Sequence, residues 1–275
     1  MKSSLNTARL VIDAPEQKEQ GFQGTFHFCV DISDSMNDRI DGVSRIERVK
    51  IALKQIVGSA LNETKKSGKF FLSITVFNTK GTVLLQRTRL TSDTVRAVVQ
   101  KIEGIRCDGA TDILAGLNKT ATVMKGRQKE GRSTAILLTD GVGTVFKGNL
   151  DRIKDVFANQ STELVVIGIK INGENNKATL QQIAASDVVG FRGQYIDVPD
   201  EKNVGNVITE VYRKRIDSFS QIELTVPRFP LGKWEVRGAG VVLQDKGAKF
   251  ELDPLIGGNQ ELYLLCLMGQ NLKIP

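Results

Sequence analysis

The sequence predicts an α/β protein: a doubly wound, mostly parallel sheet with helices on both faces, joined to a small antiparallel β-sandwich unit. Three observations carry that expectation. From about Gly24 to Ile216, short β-branched or aromatic runs alternate with longer segments of helical period, the order that a parallel sheet with crossover helices imposes. Several short runs are apolar nearly throughout, as strands covered on both faces must be. After Ser218 helical period stops, and the remaining strand-like runs are separated by Pro227, Pro230, Gly238, Gly240, Gly247, Gly257 and Gly258, residues that punctuate turns.

Taken in order, the expected strands of the first part are Thr25 to Asp31, Lys69 to Phe77, Thr82 to Thr88, Ser133 to Thr139, Glu163 to Ile169 and Gln194 to Asp197. The clearest helix begins at Ser44, where Ser44 and Glu47 have capping-box spacing and Ile46, Val49, Leu53, Ile56, Val57, Ala60 and Leu61 recur on one face. Gly68 is its expected stop. Further helices are expected at Ser92 to Glu103, Asp112 to Lys125, Asn149 to Asn159, Lys177 to Ser186 and Glu201 to Ile216. In the tail the strand candidates are Gln221 to Val226, Trp234 to Arg237, Val241 to Leu243, Lys249 to Leu252 and Leu262 to Met268. Because a tail of roughly 60 residues makes a thin core alone, the strand-like segment Asn6 to Asp13 is expected to join it. The expected division is 20–217 for the α/β domain, with 1–19 and 218–275 forming the β unit.

Composition narrows the function classes. The 275 residues are 40% hydrophobic and 25% charged, ordinary for a water-soluble domain, and no apolar run is long enough for a membrane span. The start, Met1 to Ala14, lacks a basic segment followed by a continuous apolar one, so no secretory signal is expected there. Cys29, Cys107 and Cys266 are widely spaced and odd in number, which fits neither a disulfide framework nor paired zinc ligands and points to a cytoplasmic setting. An exported or cell-surface setting is the alternative, if a signal has been removed. Cys29 and Cys266 lie in apolar runs, where a thiol acts as a small hydrophobe. The formal charge of +7 raises nucleic acid as a partner. Against it, the basic clusters Lys65, Lys66, Lys69 and Arg213, Lys214, Arg215 fall at expected helix ends and lack the interleaved aromatics that stack bases. No nucleic-acid partner is expected, and sequence leaves the oligomeric state open.

The chemistry concentrates in three fragments. Asp31-Ile32-Ser33-Asp34-Ser35-Met36 directly follows the first α/β strand, at the strand end where such sheets bind ligands. Asp108-Gly109-Ala110-Thr111-Asp112 precedes an expected helix, and Leu138-Thr139-Asp140-Gly141 ends the fourth strand. Carboxylates and hydroxyls are hard oxygen ligands for a hard cation. Magnesium takes few protein oxygens and keeps exchangeable positions for an outside ligand.

These fragments closely resemble the von Willebrand factor A (VWA) family, a Rossmann-like fold whose metal-ion-dependent adhesion site (MIDAS) is written DxSxS, then a threonine in a glycine-rich turn, then an aspartate in a T-D-G turn. The resemblance covers about Gly24 to Ile216. It implies that Asp31, Ser33, Ser35, Thr111 and Asp140 hold one Mg2+ ion, with Mn2+ or Ca2+ as alternatives, and that Asp34, Asp112, Gly109 and Gly141 stand around them. In the family the serine hydroxyls, and often the threonine, contact the metal, aspartates commonly act through water, and a glutamate or aspartate of a protein partner supplies the last oxygen. The implied function is a metal-dependent protein-binding module without catalysis. Asp34 and Asp112 depart from the glycine and asparagine common at those positions, adding negative charge near the cation. Asp38 is followed by Arg39, not by a second acid, so no second metal is expected. The β-only tail is similar to the extra β-sandwich that accompanies VWA domains in some bacterial surface and cytoplasmic proteins.

Each fragment also has a plain structural reading: Asp31 as a helix cap, Ser33 and Ser35 in local turns, Asp140-Gly141 as a turn pair. The single histidine, His27, lies mid-strand between Phe26 and Phe28, which removes the usual base of a Ser or Cys triad. Trp234 is expected in the core of the β unit. One enzymatic alternative is a phosphatase of haloacid-dehalogenase type, which also sets an aspartate after its first strand. It needs a second acid two residues on, where this chain has Ser33. No Gly-rich P-loop is present. The remaining alternative is a scaffold with a purely structural metal.

Overall fold

The computed structural model describes residues 6–13, 23–64, 69–125, 132–141, 147–185, 188–219, 223–227, 234–237, 239–244, 247–252, 255–256 and 259–266, with residues 6–13 and 217–266 described by backbone course. The chain divides into two compact units, Glu19–Arg213 and Met1–Lys18 with Lys214–Pro275. Among the described residues no helix is long and apolar enough to cross a membrane.

Along the chain, β1 (Asn6–Asp13) is followed by β2 (Gln23–Asp31), a single 3-10 turn at Asp34–Asn37, and a short hairpin of β3 (Arg39–Ile40) and β4 (Val43–Ser44). Then come α1 (Arg45–Thr64), β5 (Lys69–Phe77), β6 (Gly81–Arg89), α2 (Ser92–Glu103), α3 (Ile113–Met124), β7 (Arg132–Thr139), α4 (Lys147–Asn159), β8 (Thr162–Ile169), α5 (Glu174–Ala184) and β9 (Arg192–Val198). A 3-10 turn at Glu201–Asn203 leads into α6 (Val204–Asp217). The six-stranded sheet has the order β6-β5-β2-β7-β8-β9. Every neighbouring pair is parallel except β5 with the edge strand β6. The register of β5 on β6 slips between Leu72 and Thr75.

Burial follows the pattern that selected these segments. All but the first residue of β2 are buried, and successive side chains go to opposite faces. Cys29 joins Phe77, Ala135, Leu137, Leu164 and Val166 in the core under α3, α4 and α5. Phe26 lies on the other face, stacked on Phe70 at 5.5 Å between ring centroids and meeting Tyr212 of α6 at 5.3 Å. Helix α3 approaches the sheet closely because Gly116 has no side chain: a Cβ there would lie 2.5 Å from the Phe77 ring and 3.0 Å from Cys29 Sγ. His27 is fully buried, with Nδ1 2.6 Å from Ser73 Oγ. Burial pushes the Cys29 thiol up to about 12, so it stays neutral in the core.

Local chemistry fixes the element boundaries. The capping box at α1 is present: the Ser44 amide donates to Glu47 at 2.8 Å, and the Glu47 amide donates to Ser44 Oγ at 3.2 Å. Its expected stop, Gly68, and the cations Lys65 and Lys66 lie outside the described residues. Helix α5 begins at Glu174, three residues before the expected Lys177, because Gly173 adopts φ 84° as its N-cap and Glu174 adds an acid in the first turn. The hairpin of β3 and β4 turns on Asp41 and Gly42, with φ 53° and 77°, the positive-φ pair that a two-residue hairpin requires. Lys214 and Arg215 stand in the last turn of α6, where cations complement the helix dipole.

The other unit contains β10 (Ser218–Phe219), β11 (Glu223–Pro227), β12 (Trp234–Arg237), β13 (Ala239–Gln244), β14 (Gly247–Leu252), β15 (Leu255–Ile256) and β16 (Asn259–Cys266). They form three-stranded sheets of order β1-β16-β12 and β11-β14-β13 and a two-stranded pair, β10 with β15. All pairings are antiparallel, with β1 matched to β16 over its whole length from Asn6↔Cys266 to Asp13↔Asn259. The core role expected for the Trp234 side chain lies outside the described residues.

Candidate functional site

The three fragments come together at the carboxyl end of the sheet because β2 and β7 are adjacent parallel strands that end side by side. Backbone hydrogen bonds stitch the middle fragment to the first: the Asp108 amide donates to Ile32 O at 2.8 Å and the Asp34 amide to Gly109 O at 2.9 Å. Gly109 takes φ 76° to make that approach. Asn78, just past β5, braces the same loop by donating to the Asp108 carboxylate at 2.7 Å, while Asn78 O accepts from the Asp112 amide at 2.7 Å.

Asp31 is fully buried, and both its oxygens are engaged. Oδ1 accepts from the Ser33 amide at 2.8 Å, and Oδ2 accepts from Thr139 Oγ1 at 2.6 Å. Burial pushes its carboxyl up from an ordinary 3.8 to about 6, against the hydrogen bonds from Thr139 and Ser33 that favour the anion. Ser33 is 2% exposed, with its Oγ 3.2 Å from Ser35 Oγ. Ser35 in turn donates to Asp140 Oδ1 at 2.7 Å. Thr111 faces the last fragment: a Cβ built on Gly141 would lie 3.3 Å from Thr111 Oγ1. Asp31, Ser33, Ser35 and Asp140 are thus joined in series by direct hydrogen bonds, and Thr111 lies against Gly141.

The surrounding positions divide. Asp112 is the N-cap of α3, its side chain accepting from the Ala115 amide at 3.0 Å, while Asp34 is exposed at the start of the 3-10 turn. Asp38 forms an ion pair with Arg45 at 3.2 Å, and Arg39 is occupied by Gly42 O and Glu47. Among the described residues no three His, Cys, Asp or Glu side chains group as a metal cluster. The candidate centre has two carboxylates, Asp31 and Asp140, and three hydroxyls.

Arg45, Thr139, Asn78 and Glu201 were not singled out from sequence, yet all brace the site. Arg45 is 7% exposed at the first position of α1. Its Nη1 donates to Asp140 Oδ2 at 2.5 Å and to Ser35 O at 3.0 Å, and its Nε donates to the buried Glu201 carboxylate. Burial works to lower the Arg45 pKa, but the Glu201 and Asp140 carboxylates reverse that and hold it above its ordinary value. Thr139 belongs to the Leu138-Thr139-Asp140-Gly141 fragment. Arg45 carries no such signal, since an arginine at a helix start ordinarily reads as a solvated one.

Together, a doubly wound sheet and a hydroxyl-and-carboxylate cluster at its strand ends define a VWA-like class of fold. The von Willebrand factor type A domain model matches residues 26–142, the stretch that contains all three fragments. A von Willebrand factor type A protein from Catenulispora acidiphila superposes with a TM-score of 0.69 at 14% identity, over 97% of this chain and 62% of that one. The PilB minor pilin from Streptococcus sanguinis gives 0.58 at 14% identity, over 73% and 63%. The pilus adhesin SpaC from Lactobacillus rhamnosus GG gives 0.58 at 14% identity, over 95% and 41%. This chain therefore spans less than two thirds of the length of each, and at such identity the likeness is one of fold. No curated protein matches the chain in sequence.

Proposed function

We propose that the protein is a non-catalytic, metal-dependent protein-binding module. In this reading Asp31, Ser33, Ser35, Thr111 and Asp140 hold a divalent cation, Mg2+ in the first place, and an Asp or Glu of a protein partner completes its coordination. The observation that carries this is the donor arrangement at Ser35. Its hydroxyl gives its proton to Asp140 at 2.7 Å, so the oxygen lone pairs are left for a cation, while the proton is held by a carboxylate that also supplies compensating charge. Two carboxylates and three hydroxyls make a hard, oxygen-only donor set, suited to Mg2+ or Mn2+ and unsuited to soft metals. A bound cation there supplies a Lewis-acidic point for an incoming carboxylate. The chain's own part is to orient the hydroxyls and to keep Asp31 buried and fixed by Ser33 and Thr139.

An interaction role is supported by the pilin and adhesin among the structures of similar fold. The test is calorimetric titration with Mg2+ and Mn2+ of the native chain, Asp31→Ala and Ser33→Ala, followed by binding of a glutamate-bearing peptide library with and without chelator. Saturable binding of one ion, lost in Asp31→Ala and weakened at least about tenfold in Ser33→Ala by removal of one oxygen ligand, is expected. Retention of peptide binding in chelator and in Asp31→Ala overturns the metal contact. Turnover of a phosphate ester that depends on Asp31 overturns the non-catalytic reading.

A further inference from the structure

We propose that Arg45 is a resident counter-cation of the candidate metal centre: its guanidinium holds the second oxygen of Asp140 and thereby lowers the centre's affinity for a divalent ion. The inference rests on the metal-binding reading above and adds a positioning residue to it.

The geometry carries the argument. The Asp140 side chain is fully buried, and its two oxygens are divided between two donors, Oδ1 to Ser35 Oγ at 2.7 Å and Oδ2 to Arg45 Nη1 at 2.5 Å. The arginine is held in that place from three further directions. Nη1 also reaches Ser35 O at 3.0 Å, Asp38 Oδ2 lies 3.2 Å away, and Nε is paired with Glu201. Glu201, 2% exposed, gives its other oxygen to Lys170 at 3.0 Å. The guanidinium is therefore a fixed, permanently charged group in contact with a proposed ligand residue.

Two consequences follow from charge alone. A divalent ion held by Asp31 and Asp140 meets, in the guanidinium on Asp140 Oδ2, a local surplus of one fixed positive charge. That surplus opposes the ion and favours an incoming carboxylate. Before the ion enters, the same guanidinium is the cation that makes a buried Asp140 tolerable.

The test is Mn2+ titration by calorimetry of the native chain and three variants, with thermal melts in chelator and in saturating Mn2+. Removing the positive charge in Arg45→Met is expected to tighten Mn2+ binding by about tenfold. Its melting temperature should fall in chelator and return toward the native value with Mn2+. Arg45→Gln keeps a neutral donor beside Asp140 and should also tighten Mn2+ binding several-fold, so the proposal stays testable if Arg45→Met does not fold. Lys54→Met, which removes an exposed pair with Glu103, should leave the affinity unchanged. A merely structural arginine predicts weaker binding in both Arg45→Met and Arg45→Gln, and equal melting losses with and without Mn2+. That result overturns this proposal alone. A native chain that binds neither Mn2+ nor Mg2+ overturns the proposal together with the reading it rests on.

Discussion

The buried carboxyl of Asp31, which pairs with no cation among the described residues, is the most sensitive group in the site. Asp31 accepts from the Ser33 amide and the Thr139 hydroxyl, and burial raises its carboxyl from 3.8 to about 6. Because the folded-state value lies above the unfolded one, stability from this group is fully present below about pH 4 and is lost as pH rises through about 6. The loss approaches about 3 kcal/mol once the carboxylate is ionised without a metal. Urea unfolding in chelator should therefore show Asp31→Asn gaining on the native chain between about pH 4 and 7, and a constant difference across that range would refute it. Because ligation needs the anion, Mg2+ affinity of the native chain should rise over the same interval. What sequence disclosed at this scale was residue type and spacing in three motifs. It did not disclose Arg45 or Glu201, 156 positions apart and paired in the fold, because a buried ion pair joins residues with no shared local pattern.

Elements position these residues through close helix-to-sheet contact, and α3 is the clearest case. It follows the loop bearing Thr111, and Gly116 lets it rest against Phe77 and Cys29. Gly116→Ala puts a methyl 2.5 Å from the Phe77 ring, and such overpacking costs about 1–3 kcal/mol. Urea unfolding should show that loss, and Phe77→Leu added to the variant should recover part of it; additive losses would mean that the ring is not the obstacle. The strands and most helices were legible because apolar period reports burial directly, as in β2 and α1. The early start of α5 was not, since Asn175 and Asn176 favour turns and only the backbone of Gly173 reveals the cap. The hairpin of β3 and β4 was missed although Asp41-Gly42 is a strong turn signal, because strands of two residues each have no period to detect.

At the scale of the whole molecule, the two units differ in how they should respond to the ion. All proposed ligands lie within Glu19–Arg213, and an ion that binds only the folded form stabilises it by about 2.7 kcal/mol at a hundredfold excess over its Kd. Hydrogen exchange with and without Mg2+ should show added protection at 31–36, 108–112 and 139–141 and none across 223–266. Protection of equal size in both units would indicate general charge screening. The change from alternating strands and helices to strands alone was legible where helical period stops near Ser218. Finally, the irregular pairing of β5 with β6 bears on how the molecule meets others. The slip between Leu72 and Thr75 is the kind of irregularity that kinks an edge strand, and β6 carries Arg87, which lies over the Phe71 ring at 3.6 Å, and Arg89. A rim that is kinked and cationic is a poor template for a foreign backbone. Self-assembly by strand addition is disfavoured along that edge.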